Sequence, residues 1–396
     1  MLIKSLNTLF NRIFVKKESF LVIEILPHLT QISLVYGDLE NKELELVKSR
    51  IVIGRDPGLI TKTLKHFGKL GRHRIILALD SKIASTLYSS VVLVRDNPRD
   101  PIDESDLDNL LSQAVWKFFD RQRAKIAAKI GVNDFDVLLA DVRIGNIKLD
   151  GHRVVNPLGF RAHSVEVQLN QTFTTRQALN DFKKVLPVGS VSFITEAGTA
   201  WSHLVSRIHK DELFAVANIF PGQTSLFIGE GFRLGHHADL SWGENNLLGI
   251  ISETLKISPA TARAVIGRYL EKNTSPNFEK KLEGFLMEEL SDWAGQVNGA
   301  FSNRAVGVLY LNTCFEMPRP VFAPNFRSKF RSAVKVLPLN EEFLNEHYQF
   351  KFKYSKGIDR QSGFSTLAAV LEATFLPQYD KMSQMAKKRV RWLSLI

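Results

Sequence analysis

Three side chains that could ligate a metal lie close together in the sequence: His236, His237 and Asp239. Imidazole and carboxylate groups are common zinc ligands, but a site requires them to converge on one point. The segment around them is predicted to be a β-strand, in which neighbouring side chains point to opposite faces. The two histidines therefore diverge, and we expect no metal at this position.

Glycine motifs that would cradle a phosphate are incomplete in this chain. Phe67–Leu70 is not a P-loop, because Thr63 stands where the first glycine is required and no hydroxyl residue follows the lysine. Gly229, Gly231 and Gly235 miss the dinucleotide-binding spacing by one residue and lie in a predicted hairpin, which explains them as turn residues. No nucleophile elbow or zinc-protease motif occurs.

The composition is that of a globular protein of the cell interior. The chain has 396 residues, 44% of them apolar and 23% charged, which predicts two to four packed units. The one cysteine, Cys314, cannot form an intramolecular disulfide, and we interpret it as a small core residue. No apolar run approaches the ~20 residues that cross a bilayer, and no secretion signal is recognisable. We therefore expect a cytoplasmic protein.

The two ends carry most of the positive charge. Residues 1–17 and residues 380–396 each have a net charge of +4, which leaves +3 of the total of +11 for the body. A nucleic-acid-binding protein usually carries its excess of basic residues on a folded face with interleaved aromatic residues. We therefore expect no nucleic-acid partner, and we expect the ends to meet an acidic surface.

Both ends also have the periodicity of amphipathic helices, with apolar residues on one face and basic residues on the other. This pattern is typical of helices that lie on a membrane, where each basic residue adds about 1 kcal/mol of attraction to anionic lipid. The residues that we predict to bind the membrane are Leu6, Phe10, Ile13, Phe14, Lys387, Lys388, Arg391, Trp392, Leu393 and Ile396. This prediction makes the chain a peripheral protein on the inner face of the cell membrane. The alternative is that either segment packs on the body of the protein.

The body contains the same order of elements twice, namely three strands joined by short turns and then a helix. The first copy has strands at 20–25, 31–36 and 43–53 and a helix at 57–70, followed by strands at 74–80 and 89–94. The second copy has strands at 213–220, 224–229 and 232–240 and a helix at 244–256. Two copies predict two similar α/β lobes. That is the architecture of the actin-like ATPase fold, although other duplicated α/β folds could begin in the same way.

A separable unit lies between the two copies. A loop with two prolines, residues 97–101, precedes an acidic helix start at Asp103–Asp106. The unit continues with a helix to about residue 129, strands near 135–144, 146–149 and 164–173, and a helix at 175–184. We predict a small α+β domain inserted into the first lobe.

On this element order the chain resembles the FtsA family of bacterial division actins, whose first lobe carries an inserted domain of the 1C, or SHS2-like, type. Residues 150–160, DGHRVVNPLGF, resemble the family's "DG…I.NP.GM" turn in that domain. Residues 362–371, SGFSTLAAVL, resemble its closing helix, which a linker joins to a basic, Trp-containing membrane helix. The resemblance in element order covers residues 20–396.

The resemblance implies a division of the chain into lobes and terminal helices. The expected boundaries are an N-terminal helix at 1–17, the first lobe at 18–96, 187–212 and 335–379, the inserted domain at 97–186, the second lobe core at 213–247 and 297–334, its outer subdomain at 248–296, and a membrane helix at 380–396.

The resemblance also identifies the two turns that hold phosphate in this family, and both have changed. The first reads roughly Asp-Ile-Gly-Thr/Ser in the family, but residues 24–28 are EILPH, with leucine in place of glycine and a proline that has no N–H. The second reads Asp-Ile-Gly-Gly-Gly-Thr-Thr-Asp in the family, but residues 218–226 are NIFPGQTSL. The resemblance therefore implies a degenerate nucleotide site, formed by Gly222, Gln223, Thr224, Ser225 and Gly243.

The adenosine side of the site has changed as well. The family's Gly-Gly pair corresponds to Asn312-Thr313, and its acidic helix residue corresponds to Arg263. We therefore expect no ATP hydrolysis, weak or no ATP binding, and no metal or other cofactor.

The resemblance implies a membrane-attached, non-enzymatic scaffold of cell division. Its partner would be the tail of an FtsZ-like division protein, bound at residues 248–296, and copies of the chain would stack into filaments through the inserted domain. Two alternatives stay open. One is a PilM-like cytoplasmic adaptor that binds a peptide in a type IV pilus or secretion machine, and the other is an active ATPase with an unusual site.

Overall fold

The computed structural model describes residues 17–186, 190–209, 212–302, 304–313, 315–330, 334–358, 360–376 and 381–389. Its helices are α1 (Pro57–Leu64), α2 (Glu104–Ile130), α3 (Arg176–Val185), α4 (Thr199–Ser206), α5 (Glu244–Leu255), α6 (Pro259–Leu270), α7 (Pro276–Phe301), α8 (Glu341–Tyr348), α9 (Arg360–Phe375) and α10 (Lys381–Arg389). The helix expected at 57–70 is shorter than predicted, since 3-10 turns at Lys65–Phe67 and Leu70–Arg72 follow α1.

The first lobe is built on a mixed sheet with the strand order β15-β3-β2-β1-β4-β9. Its strands are β1 (Glu18–Ile25), β2 (Leu29–Asp38), β3 (Glu43–Ile53), β4 (Arg74–Leu79), β9 (Val191–Glu196) and β15 (Lys351–Tyr354). The first three form an antiparallel meander, and β4 lies parallel to β1. Both faces of β1 are buried, because Phe20 and Val22 pack toward the second lobe while Leu21 and Ile23 pack against α1 and α3.

The second lobe repeats this arrangement. Its strands are β10 (Leu213–Ile219), β11 (Thr224–Glu230), β12 (Arg233–Leu240), β13 (Val308–Thr313) and β14 (Lys335–Pro338). Their order, β12-β11-β10-β13-β14, matches β3-β2-β1-β4-β9 of the first lobe, with the same antiparallel meander and the same parallel fourth strand. The predicted duplication of α/β lobes is confirmed.

Helices α4 and α9 form a layer between the two sheets. One apolar cluster joins Phe20 and Val22 of the first sheet, Leu204 of α4, Leu367 of α9, and Phe214 of the second sheet. A separate cluster lies on the other face of the second sheet, where α5, α6 and α7 cover it. The two lobes therefore share one core, and the outer helices of the second lobe bury another.

The inserted domain is a helix on a sheet of strands β5 (Ala84–Val94), β6 (Val137–Leu149), β7 (His152–Val154) and β8 (Ser164–Thr175). Its long helix α2 begins where the Asp103 side chain accepts a hydrogen bond of 2.7 Å from the Asp106 N–H, and it ends at Gly131 with a φ of 76°. The strands expected at 135–144 and 146–149 are one strand, β6, with an irregular register between Ile144 and Asn146.

Two strands pair differently from the expected division of the chain. Strand β5 lies inside the segment 18–96 that was assigned to the first lobe, but it pairs along its length with β8 of the inserted domain. Strand β14 lies inside 335–379, also assigned to the first lobe, but it pairs with β13 in the second. Both strands have the same local pattern as first-lobe strands, and only their long-range hydrogen bonds decide which sheet they join.

Candidate functional site: a cleft between the lobes

The turns that follow β1 and β10 meet at the floor of the cleft between the lobes. They lie so close that a Cβ atom on Gly222 would lie 3.2 Å from Nε2 of His28. In the first turn Leu26 N–H donates to the Leu29 carbonyl at 2.9 Å, and Pro27 has no N–H. The second turn has the same chemistry, since Phe220 N–H donates to the Gln223 carbonyl at 2.8 Å and a proline follows.

The N-terminus of α5 is hydrogen-bonded to the second turn. Glu244 N–H donates to the Phe220 carbonyl at 3.2 Å, and Asn245 N–H donates to the Pro221 carbonyl at 2.8 Å. A helix N-terminus is normally an anion-binding position because its first N–H groups lack partners. Here two of those donors already have carbonyl partners within the protein.

The five residues predicted as a degenerate nucleotide site gather around this second turn. Thr224 Oγ1 donates to the Trp242 carbonyl at 2.8 Å, and Ser225 Oγ donates to Asp239 Oδ1 at 2.6 Å. Gly243 packs so tightly that an added Cβ would lie 2.2 Å from the Phe220 carbonyl oxygen. Among the described residues that line the cleft, none of Gly222, Gln223, Thr224, Ser225 or Gly243 occurs. These residues therefore form or contact the second turn and do not line the cleft.

The cleft itself has a volume of about 520 Å³ and is lined mostly by apolar side chains of both lobes. Leu26 and Pro27 come from the first lobe, and Phe220, Leu247 and Ile266 come from the second. Its size lies within the roughly 300–1,000 Å³ of small-molecule sites. The sequence indicated Leu26 and Pro27 only as residues that replace a phosphate turn, and the apolar character of the whole cleft was not predicted.

A few charged groups interrupt this apolar lining. Glu24, near the end of β1, is 2% exposed, and Thr366 Oγ1 donates a hydrogen bond to its carboxylate. Burial raises the pKa of Glu24 to about 7 in spite of that hydroxyl. Arg263 forms a bidentate ion pair with Glu244, with distances of 3.0 Å and 2.9 Å. Arg263 was predicted at this site, and its carboxylate partner was not.

The candidate metal residues do not converge. His236 Nε2 lies 3.0 Å from Asp239 Oδ1, whereas His237 Nε2 lies 2.7 Å from the Ala300 carbonyl. Within the described residues, no group of three or more His, Cys, Asp or Glu side chains is placed to hold a metal ion.

A second depression lies in the first lobe, between α1 and α3. It has a volume of about 500 Å³, and Ile60, Ile83 and Phe182 line its apolar part. A more polar depression of about 460 Å³ adjoins it and shares four lining residues, which are Val132, Thr175, Gln177 and Asp181. Together they form a continuous groove along α3, which we call the α1–α3 groove.

Helix α10, the described part of the predicted membrane helix, packs on the inserted domain. Ala386 and Ser383 are fully buried there, and the Ser383 hydroxyl accepts a hydrogen bond of 3.0 Å from Ile144 N–H. Lys387 lies 2.8 Å from the buried Asp141 carboxylate. Lys388 is exposed. This part of the segment therefore packs on the body of the protein, which was the alternative to membrane binding.

The other residues predicted to bind the membrane lie outside the described residues. They are Leu6, Phe10, Ile13, Phe14, Arg391, Trp392, Leu393 and Ile396. No helix in the described part of the chain combines the length and apolar character needed to cross a bilayer.

Comparison with known proteins supports the fold. No protein-family model and no curated protein matches the chain. Among solved structures, the PilM–PilN type IV pilus biogenesis complex matches with 13% identity and a TM-score of 0.54, over 90% of this chain and 98% of that one.

Two other solved structures match with lower TM-scores. The ethanolamine utilization protein EutJ of Carboxydothermus hydrogenoformans has 10% identity and a TM-score of 0.38, over 90% and 89% of the two chains. MreB 5 of Spiroplasma citri has 11% identity and a TM-score of 0.35, over 90% and 95%. The chain has the actin-like ATPase fold.

Proposed function

We propose that this chain is a non-enzymatic adaptor with an actin-like fold, which binds a short segment of a protein partner. The observation that carries the proposal is the hydrogen bonding of the two turns at the cleft floor. Each turn contains a proline, and the second is bonded to the first two N–H groups of α5. Turns of this kind offer a triphosphate few donors, which favours a fold retained for binding rather than for ATP hydrolysis.

The α1–α3 groove is the proposed partner site. Its apolar lining suits an extended segment whose apolar side chains point into the groove, while Arg55, Lys82 and Asp181 of the same lining suit polar groups of that segment. The solved structure with the TM-score of 0.54 is a complex of PilM with PilN in type IV pilus biogenesis. On that basis we propose a component of a pilus or secretion machine as the partner.

Site-specific photo-crosslinking in cells tests the groove. A photoreactive residue at Gln177, which lines the groove, should give a discrete crosslinked partner, with crosslinks confined to one extended segment. The same residue at Lys183, on α3 but outside the groove lining, is the matched control. Equal crosslinking from both positions would argue against the groove. Turnover of ATP by the purified chain above a heat-inactivated control would argue against a non-enzymatic adaptor.

A membrane-attached division scaffold is the second candidate function. The observation in its favour is the net charge of +4 at each end of the chain, which suits an anionic membrane. Co-sedimentation with anionic liposomes tests it, with a version that lacks residues 390–396 and so keeps α10 on the inserted domain. If pelleting requires residues 390–396, the scaffold function is favoured. If the full-length chain stays in solution at low salt, the scaffold function is ruled out.

A further inference from the structure

The cleft between the lobes is electrostatically unsuited to an anion. Its lining contains the carboxyl groups of Glu24, Glu244 and Glu316. Among the described lining residues Arg263 is the one guanidinium and no lysine occurs, and Arg263 already binds Glu244 through two hydrogen bonds. The local field is therefore negative, and low-dielectric walls strengthen it. A ligand with several negative charges, such as a nucleoside triphosphate, would meet repulsion here.

Glu24 is the group that an organic cation would meet at the floor. Its carboxyl group is 2% exposed, and its hydrogen-bond partner Thr366 is a neutral hydroxyl residue. A buried carboxylate is costly without a counter-ion, so an ammonium group beside it would be stabilised and would stabilise the ionised carboxylate in turn. The apolar walls of Leu247, Ile266 and Phe315 would cover the rest of such a molecule.

We propose that the cleft binds a small organic cation with an apolar body, an alkylammonium or arylalkylammonium, whose charged group pairs with Glu24. This site lies apart from the α1–α3 groove and does not depend on the proposed adaptor function. The combination of an apolar wall, a buried carboxyl group and a net negative lining sets the chemistry of the ligand.

Gly267 supplies a variant that fills the cleft. It lies in the last turn of α6 and lines the cleft, and a Cβ added there would meet no atom within 4 Å. Gly267→Leu should therefore take up ligand volume, since its Cβ position is open. Gly284, in the middle of α7, also has no atom within 4 Å of an added Cβ and lies outside the cleft lining, so Gly284→Leu is the matched control.

The test is binding to the purified full chain, measured by saturation-transfer NMR and by thermal shift. The probes are hexylammonium, phenethylammonium and tryptamine, compared with the neutral 2-phenylethanol, the anionic phenylacetate and Mg–ATP. We expect at least one amine to bind at least tenfold more tightly than its neutral and anionic counterparts. Gly267→Leu should abolish this binding, Gly284→Leu should leave it unchanged, and Glu24→Gln should weaken it at least tenfold.

Several results would overturn the proposal. Binding of 2-phenylethanol as tight as that of the amine would mean an apolar pocket without charge selection. Amine binding that survives Gly267→Leu would place the ligand elsewhere. No binding of any of the three amines at millimolar concentration, or a stabilising shift with Mg–ATP larger than with the amines, would remove the proposal outright. None of these results bears on the α1–α3 groove, which the crosslinking experiment tests separately.

Discussion

Two glutamates of the first lobe are buried beside neutral hydroxyl groups. The Tyr88 hydroxyl donates to Glu372 Oε1 at 2.5 Å, and Thr195 Oγ1 lies 3.3 Å from the same oxygen. Burial raises the pKa of Glu372 to about 8 and that of Glu24 to about 7. Burial also lowers the pKa of His203, which stacks on Tyr88, to about 3. Near pH 7 Glu372 and His203 are therefore mostly neutral in the folded chain, whereas Glu24 is about half ionised.

These groups predict that stability falls as pH rises above neutrality. A carboxyl whose folded pKa exceeds its unfolded value of 4.5 stabilises the fold fully below that value, and the contribution is lost as pH rises through the folded pKa. His203 acts in the opposite sense, but its effect is complete above its unfolded pKa of 6.5. Between pH 6.5 and 8 the free energy of unfolding should fall by about 1 kcal/mol per pH unit from Glu372, and by less from Glu24, which ionises earlier. Urea denaturation at a series of pH values measures it.

Glu372→Gln isolates one contribution. With this substitution the free energy of unfolding should fall less steeply between pH 7 and 8, because Glu372 is the later of the two carboxyls to ionise. Glu253→Gln removes an exposed carboxyl from α5 and should leave the profile unchanged. A decline of equal slope in Glu372→Gln and the unmodified chain would contradict the role of this buried carboxyl.

Gly243, the N-cap of α5, packs closely against the second turn. An added Cβ would lie 2.2 Å from the Phe220 carbonyl oxygen and 2.8 Å from the Gln223 nitrogen, both of which are backbone atoms. Because backbone cannot move aside like a flexible side chain, we expect Gly243→Ala to lower the free energy of unfolding by at least about 2 kcal/mol. Gly284→Ala, in open space on α7, should be neutral or stabilise by up to about 1 kcal/mol. Equal midpoints of chemical denaturation for Gly243→Ala and Gly284→Ala would contradict the close packing around Gly243.

Some of these residues can be identified from the sequence, and others cannot. Gly243 was predicted at the site from the sequence, whereas Glu24 was identified only as part of the changed turn at residues 24–28, without a role of its own. Glu372 lies within an apolar run of α9, and its partners Tyr88 and Thr195 lie in distant parts of the chain. No local spacing relates these three residues, so only the assembled core identifies them as a group.

At the scale of elements, α10 illustrates how an amphipathic pattern leaves its partner open. The apolar residues Met382, Met385 and Ala386 of this helix all pack against the inserted domain. The same pattern suits a membrane or a protein surface, because either buries apolar area. The deciding contacts are the Ser383 hydrogen bond to Ile144 and the ion pair of Lys387 with Asp141, which periodicity does not encode.

This docking predicts that a charge at Ala386 releases α10. Ala386 is fully buried, so Ala386→Asp would place an unpaired carboxylate in an apolar contact. We expect amide hydrogen exchange in Lys381–Lys388 to accelerate at least tenfold while α9 stays protected. Lys388→Asp, at an exposed position of the same helix, should change exchange far less. Equal protection of α10 in both variants would contradict the docked arrangement.

At the scale of the whole molecule, the second lobe and the inserted domain share a continuous sheet. Strand β12 meets β5 at the pair Leu234 and Tyr88, which extends the second-lobe strands into β5, β8, β6 and β7. The duplicated lobes were predictable because hydrophobic period and turn residues are local signals. The joined sheet was not, since it depends on a pairing between segments far apart in sequence.

The β11–β12 hairpin braces this junction. Phe232 at its tip packs edge-on to Tyr88 at 5.7 Å between ring centroids, and its ring lies 3.1 Å from the position of a Cβ on Gly145. A brace of this kind opposes rotation of the second lobe against the inserted domain.

Phe232→Ala should therefore weaken the junction more than it weakens either unit. We expect a loss of about 2–4 kcal/mol and a first unfolding step that exposes amides of β12 and β5 while β1 and β4 stay protected. Hydrogen exchange during a urea titration measures both quantities. Phe135→Ala removes the same ring at a position that is 77% exposed, so it should change stability by less than about 1 kcal/mol. If Phe232→Ala leaves β12 and β5 as protected as Phe135→Ala does, the hairpin is not a brace, and the lobes are held by the core between α4 and α9 alone.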